Sequence, residues 1–161
     1  MNKNDYVIFK VDSCKFAVSS LLVDKVELAV SLTPVPDAPY PVLGVVSDGG
    51  TIVPVVGVRK KIGSEERDIL LSDRLIFSRL GNRKIAILAD EVNDVVEIPP
   101  KRSQDSSQIW PGVFYLKSFS GLGDDVILMQ DLNSIFSTEQ EKTLFEVLDA
   151  LKEQGRTDTD E

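Results

Sequence analysis

The chain has 161 residues, enough for one domain or two very small ones, and its 42% hydrophobic content supports a packed core. With 18 Lys plus Arg against 26 Asp plus Glu, the net charge of −8 disfavours nucleic acid and anionic lipid over most of the surface. There is no histidine, which removes Ser-His-Asp and Cys-His catalysis, His-ligated zinc and phosphohistidine chemistry.

Met1–Asp5 lacks the apolar run of a signal peptide, and no apolar stretch has the length of a membrane span. A cytoplasmic protein is expected, with membrane association only through a partner. Tyr6–Val11 is rich in β-branched and aromatic residues and reads as a strand. Asp12-Ser13 is a turn, and Lys15–Val18 returns as a second strand. The single cysteine, Cys14, sits beside this turn, so no disulfide forms within the chain. Ser19-Ser20 before Leu21, Leu22 and Val23 predicts a short capped helical turn, and Val26–Leu32 a third strand. Pro34, Pro36, Pro39 and Pro41 mark a connecting loop. Val42–Val46 and Thr51–Val58 form a hairpin about the turn Ser47-Asp48-Gly49-Gly50. Residues 60–72 read as a polar surface loop.

A similar series then begins again. Leu75–Phe77 and Lys84–Ile87 are strands about a Gly81-Asn82 turn, Asp90–Val92 a helical turn, and Asp94–Ile98 a strand. Phe114–Ser120 and Val126–Gln130 close as a hairpin around Gly121–Asp125. Lys15–Val18 echoes Lys84–Ile87, and Val23–Leu28 echoes Val92–Ile98, with one residue inserted. Two halves of roughly five short strands each suggest two small barrels. The expected organisation is a domain over 5–137, with sub-barrels at about 5–62 (with swapped elements) and 73–137. Thr138–Glu141 is a capping box ahead of a helix over 138–154, with Leu144, Val147, Leu148 and Leu151 as its apolar stripe. Gly155 ends that helix, and 155–161 reads as a disordered tail.

Little in the sequence points to chemistry. Gly121-Leu122-Gly123 lacks the Lys-Ser/Thr of a phosphate loop. Asp124-Asp125 offers too few spaced oxygens for a cation. Asp90, Glu91 and Asp124 are the carboxylates an enzyme reading would need, but they are scattered over separate turns. No catalytic residue, metal or cofactor is expected. Apolar residues in turns and loops (Leu43, Ile109, Trp110, Val113, Leu116) point instead to protein partners.

An ordered set of pieces is similar to the chemotaxis coupling protein family, the CheW-like domain. They are Tyr6–Phe9, Pro36–Pro39, Leu43–Val46, Gly50–Val56, Arg59, Ile85–Val92, Asp94–Pro99 and Ile127–Leu132. The resemblance implies a mainly β fold: two five-stranded SH3-like β-barrels packed together, short helical turns and a C-terminal helix. It implies a non-catalytic adaptor linking the cytoplasmic tip of chemoreceptors to the regulatory domain of a CheA-type histidine kinase, without nucleic-acid binding or direct membrane insertion. The receptor-facing residues it implies are Val23, Lys25, Gly44, Gly49 and Gly50. Val23, Gly44 and Gly50 match the family. Lys25 stands where the family carries Glu, and Gly49 where it carries Arg, within an Asn-Leu-Arg-Gly turn that reads Ser47-Asp48-Gly49-Gly50 here. Gly57 replaces an Asp. Two readings follow: a coupling adaptor, or a divergent scaffold of an auxiliary or motility array that binds the kinase or itself but not receptors.

Overall fold

A computed structural model describes residues 3–100, 103–105, 116–122, 125–136 and 138–159. Strands β1 (Asp5–Val11) and β2 (Cys14–Ser19) pair in register from Tyr6–Ser19 to Val11–Cys14. Their two-residue turn holds Asp12 at φ 52°, a left-handed conformation that aspartate tolerates. Ser19 accepts from the Leu21 N–H and caps the short 3-10 turn Ser20–Leu22, as the serine pair predicts. Strand β3 is Val23–Leu28, starting and ending earlier than the sequence suggests. Strands β4 (Val42–Asp48) and β5 (Thr51–Val56) form the expected hairpin. Pro54 fits inside β5 because its second neighbour pairs only at Val55 and Val56, so no ladder bond is lost there.

The second series gives β6 (Arg74–Leu80), β7 (Arg83–Ala89), β8 (Glu91–Glu97), β9 (Ser103–Asp105), β10 (Leu116–Leu122) and β11 (Asp125–Gln130). Asp90–Val92 is not the helical turn expected. The Asp90 N–H donates to the Lys10 carbonyl at 2.8 Å and Glu91 joins the ladder opposite Lys10, so β7 passes directly into β8.

The strands make two sheets, in the orders β8-β1-β2-β11-β10-β9 and β3-β6-β7-β5-β4. If β8, β1, β2, β11 and β10 are set against β3, β6, β7, β5 and β4, the two orders coincide. Each sheet therefore takes its first hairpin from one half of the chain and the rest from the other. The halves interlock at the parallel pairings β2–β11 and β5–β7 and at the antiparallel pairings β1–β8 and β3–β6. Among the described residues neither sheet closes by a continuous ladder. In the second, Thr33 and Val45 exchange two 2.9 Å hydrogen bonds, tying the chain beyond β3 to the opposite edge strand β4.

The two sheets enclose one large apolar cluster between them. Phe9 and Phe16, stacked at 5.4 Å, meet Ile76, Ile85 and Ile87 in it. Smaller clusters lie on each sheet's other face, around Val53, Leu75 and Phe77 and around Ile8, Ile127 and Met129. The single α-helix among the described residues, α1 (Thr138–Thr159), starts where the sequence places it and buries Leu144 and Leu148 in the inter-sheet cluster. It runs past Gly155, where the sequence places its end; one interior glycine costs only about 1 kcal/mol against alanine. Ile109, Trp110, Val113, Gly123 and Asp124 lie outside the described residues.

Candidate functional site

β3 is an edge strand, and its two faces differ. Lys25 and Glu27 lie opposite Phe77 and Leu75, over the cluster inside the second sheet. Val26 lies opposite Ile76, on the face that carries the inter-sheet cluster. Val26, Leu28 and Val30 follow at the two-residue spacing that puts side chains on one face of an extended chain. They are 39%, 59% and 54% exposed, and Leu21 in the preceding turn is 46% exposed. The inter-sheet face thus runs out to solvent along β3 as an apolar stripe. On the other sheet's edge strand, β8, Val95 is 49% exposed while Val92, like Val23, packs against the inter-sheet cluster.

The stripe ends beside the β4–β5 turn. Lys25 Nζ lies 2.6 Å from Asp48 Oδ1, 3.2 Å from Glu27 Oε1 and 4.9 Å from the centre of the Phe77 ring. Lys84 Nζ approaches Asp48 Oδ2 at 3.9 Å. The hydrogen bond from Lys25 holds the Asp48 carboxyl below the ordinary aspartate range, and the bonds to Asp48 and Glu27 raise Lys25 above the ordinary lysine value. Gly49 and Gly50 have φ of 58° and 85°, both left-handed as a two-residue hairpin turn requires. No atom lies within 4 Å of a Cβ built at either, so the tip presents bare backbone.

Of the five residues taken from the resemblance, Lys25, Gly49 and Gly50 come together at this corner. Val23 packs into the inter-sheet cluster at the start of β3. Gly44 is buried, and a Cβ there would meet the Thr33 carbonyl oxygen at 2.8 Å. A side chain there would block the Thr33–Val45 bridge. Gly57 is similarly filled: a Cβ would meet Leu43 Cδ1 at 2.8 Å. Sequence reasoning missed Val26, Leu28 and Val30. Their alternation is visible, but a half-buried strand has the same pattern, and only the pairing shows this end to be uncovered.

The carboxylates considered for acid–base work are placed differently. Asp90 bonds Arg59 Nη2 and lies 2.9 Å from Arg67 Nη2, and its other oxygen accepts from the Asp12 N–H at 2.7 Å. Arg59 also reaches Asp12 at 3.4 Å. Asp90 is therefore engaged by two guanidiniums and a backbone donor, an arrangement that joins elements and leaves no free base. Glu91 is exposed at the start of β8. Among the described residues no three His, Cys, Asp or Glu gather as a metal site, and no helix is long and apolar enough to cross a membrane.

Residues 5–140 match the CheW-like domain model. The chain is 24% identical over 140 residues to the chemotaxis protein CheW of Rhizobium meliloti, covering 84% of this chain and 89% of that protein. It is 21% identical over 138 residues to the Klebsiella aerogenes CheW, covering 84% and 83%. The fold is similar to the crystal structure of the scaffolding protein TtCheW from Thermoanaerobacter tengcongensis, with a TM-score of 0.76 at 20% identity over 87% of this chain and 92% of that one. With the family model spanning most of its length and the same two-sheet fold beneath it, the chain belongs to the CheW-like domain family.

Proposed function

We propose that this protein is a non-catalytic chemotaxis adaptor that couples the cytoplasmic tip of chemoreceptors to the regulatory domain of a CheA-type histidine kinase. The observation that carries this reading is the uncovered apolar stripe Val26-Leu28-Val30, ending at Lys25 and the bare Gly49-Gly50 tip. An amphipathic receptor helix lies along such a stripe with apolar residues spaced a helical turn apart. Lys25 and Asp48 then read charge at one end. Through the receptor the adaptor joins a membrane-bound array on the cytoplasmic side.

The scaffold reading, in which the kinase or a second copy is bound without receptor, has one observation in its favour. Asp48 is already satisfied by Lys25, and the glycine tip carries no cation of its own. Separate titrations of the cognate kinase regulatory domain and a receptor-tip peptide, by calorimetry, divide the two. Binding of both, with the receptor arm lost in Leu28→Asp, supports the adaptor. Kinase binding alone supports the scaffold; binding of neither overturns the adaptor, and with no self-association on dilution of the chain alone it overturns the scaffold too.

A further inference from the structure

Helix α1 docks through Leu144 and Leu148 but does not close over the strands beneath it. Between the helix, the start of β5 and the β6–β7 turn it leaves a cleft of about 270 Å³. The floor of the cleft is apolar. Leu148 is buried in the inter-sheet cluster, and Ile52 and Phe145 pack against that cluster's margin. None of these side chains belongs to the β3 surface.

One wall of the cleft is cationic. Arg83 and Lys84 open β7 and line it, their side chains 46% and 47% exposed. The Arg83 guanidinium lies 4.4 Å from the centre of the Phe145 ring, so the helix itself holds it in place. Its Nη1 donates to Asp149 at 3.3 Å. That contact does not use Nε and Nη2, the pair that presents a two-pronged edge to a carboxylate. Lys84 Nζ has Asp48 at 3.9 Å, beyond hydrogen-bond distance, and Asp48 already takes Lys25 at 2.6 Å. Two cations therefore stand against one lining acid, Asp149, whose side chain is 60% exposed and open to water. On a chain of net charge −8 this is a local reversal of sign, and it draws a small anion that most of the surface repels.

We propose that this cleft binds a small apolar carboxylate, with an aryl or acyl group seated on Ile52, Phe145 and Leu148 and the carboxylate bridging Arg83 and Lys84. Size sets the class. An apolar cavity of about 150 Å³ takes a benzene ring. The cleft beneath α1 holds a ring or short chain with an acid arm, and is too small for a partner's helix or strand. An apolar lining with a few charged groups to one side is the usual make-up of a ligand site. The ligand touches β5, β7 and α1 at once, so it binds the form in which the helix is docked and stabilises that form. The site stands whether or not receptors are bound.

Hydrocinnamate is a suitable probe, with hydrocinnamide as its uncharged counterpart and sulfate as an anion without apolar surface. Two-dimensional NMR titrations of the full chain with the carboxylate are expected to give saturable shifts at residues 51–52, 82–84 and 145–149. The expected dissociation constant is about 1 mM or below, for a probe of roughly eleven heavy atoms. The amide is expected to bind at least roughly tenfold more weakly, because its bonds to the two cations are no longer charge-assisted. Sulfate is expected to bind more weakly too, because it leaves the apolar floor uncovered. Lys84→Gln, at an exposed position, is expected to weaken the carboxylate about threefold or more and to leave the amide unchanged. Unchanged amide binding shows that the cleft itself is intact. The proposal is overturned by the absence of saturable shifts, by shifts centred elsewhere, by equal affinity for the amide or sulfate, or by a carboxylate affinity that Lys84→Gln does not alter.

Discussion

Lys25 places its ammonium 2.6 Å from a carboxylate and 4.9 Å from the centre of an aromatic ring, so two different attractions fix one side chain. The pairing has a pH signature. Asp48 titrates below its unfolded value, so its stabilising contribution is present above that value and is lost as pH falls through the folded one. An NMR titration is expected to find Asp48 below the ordinary aspartate range in the unmodified chain and back within it in Lys25→Ala. An unchanged midpoint would mean that the pair does not form in solution. Lys25 and Asp48 could each be read from the sequence as a departure from the family, but not as partners. They are 23 residues apart and on strands at opposite edges of a sheet, so only curvature of the sheet brings them together. Gly44 shows the converse. It matched the family's receptor-facing region, yet what constrains it is the Thr33 carbonyl behind it. A close backbone approach of this kind leaves no mark in a single sequence beyond the glycine itself.

Elements with a strong local signal were legible: the β4–β5 hairpin from its Gly-Gly turn, and α1 from its capping box and apolar stripe. The crossover between β5 and β6 was not. Its run of charge reads as a solvated loop, but Arg67 and Asp73 clamp it from within. Burial alone would raise the Asp73 carboxyl; the Arg67 pair and the Leu70 N–H outweigh it and hold the carboxyl below its ordinary range. Arg67→Ala leaves a carboxylate that is 1% exposed with only its backbone donor. The expected loss is about 3 kcal/mol in urea unfolding at neutral pH. Because the pair depresses Asp73, that difference should narrow as pH falls through the folded value and the carboxyl protonates in both proteins. A difference that held constant into acid would show that Arg67 acts through packing rather than through the charge of Asp73.

At the scale of the whole molecule the question is what fixes one sheet against the other. The inter-sheet cluster supplies the bulk of the contact, but apolar packing is tolerant of small rotations. Directional bonds are not, and a set of them spans the joint. Arg59 leaves the end of the second sheet with its side chain 6% exposed and binds Asp12, in the first sheet's β1–β2 turn, and Asp90, where the chain crosses from β7 to β8. Asp90 in turn accepts from the Asp12 backbone, so three points of the chain are locked together. Arg59→Met removes the central cation but keeps an apolar side chain of comparable reach. It leaves Asp90 with Arg67, and Asp12, already 43% exposed, can rehydrate. The expected cost is therefore at the lower end for a broken buried pair, about 3 kcal/mol. Asp90→Asn should cost a similar amount, because it leaves the buried guanidinium with only the longer 3.4 Å contact to Asp12. The double variant should lose less than the sum of the two, since each single change already breaks the same bond. Urea unfolding of the four proteins gives the coupling directly. If the losses simply add, Arg59 and Asp90 act independently, and the apolar cluster alone sets the angle between the sheets.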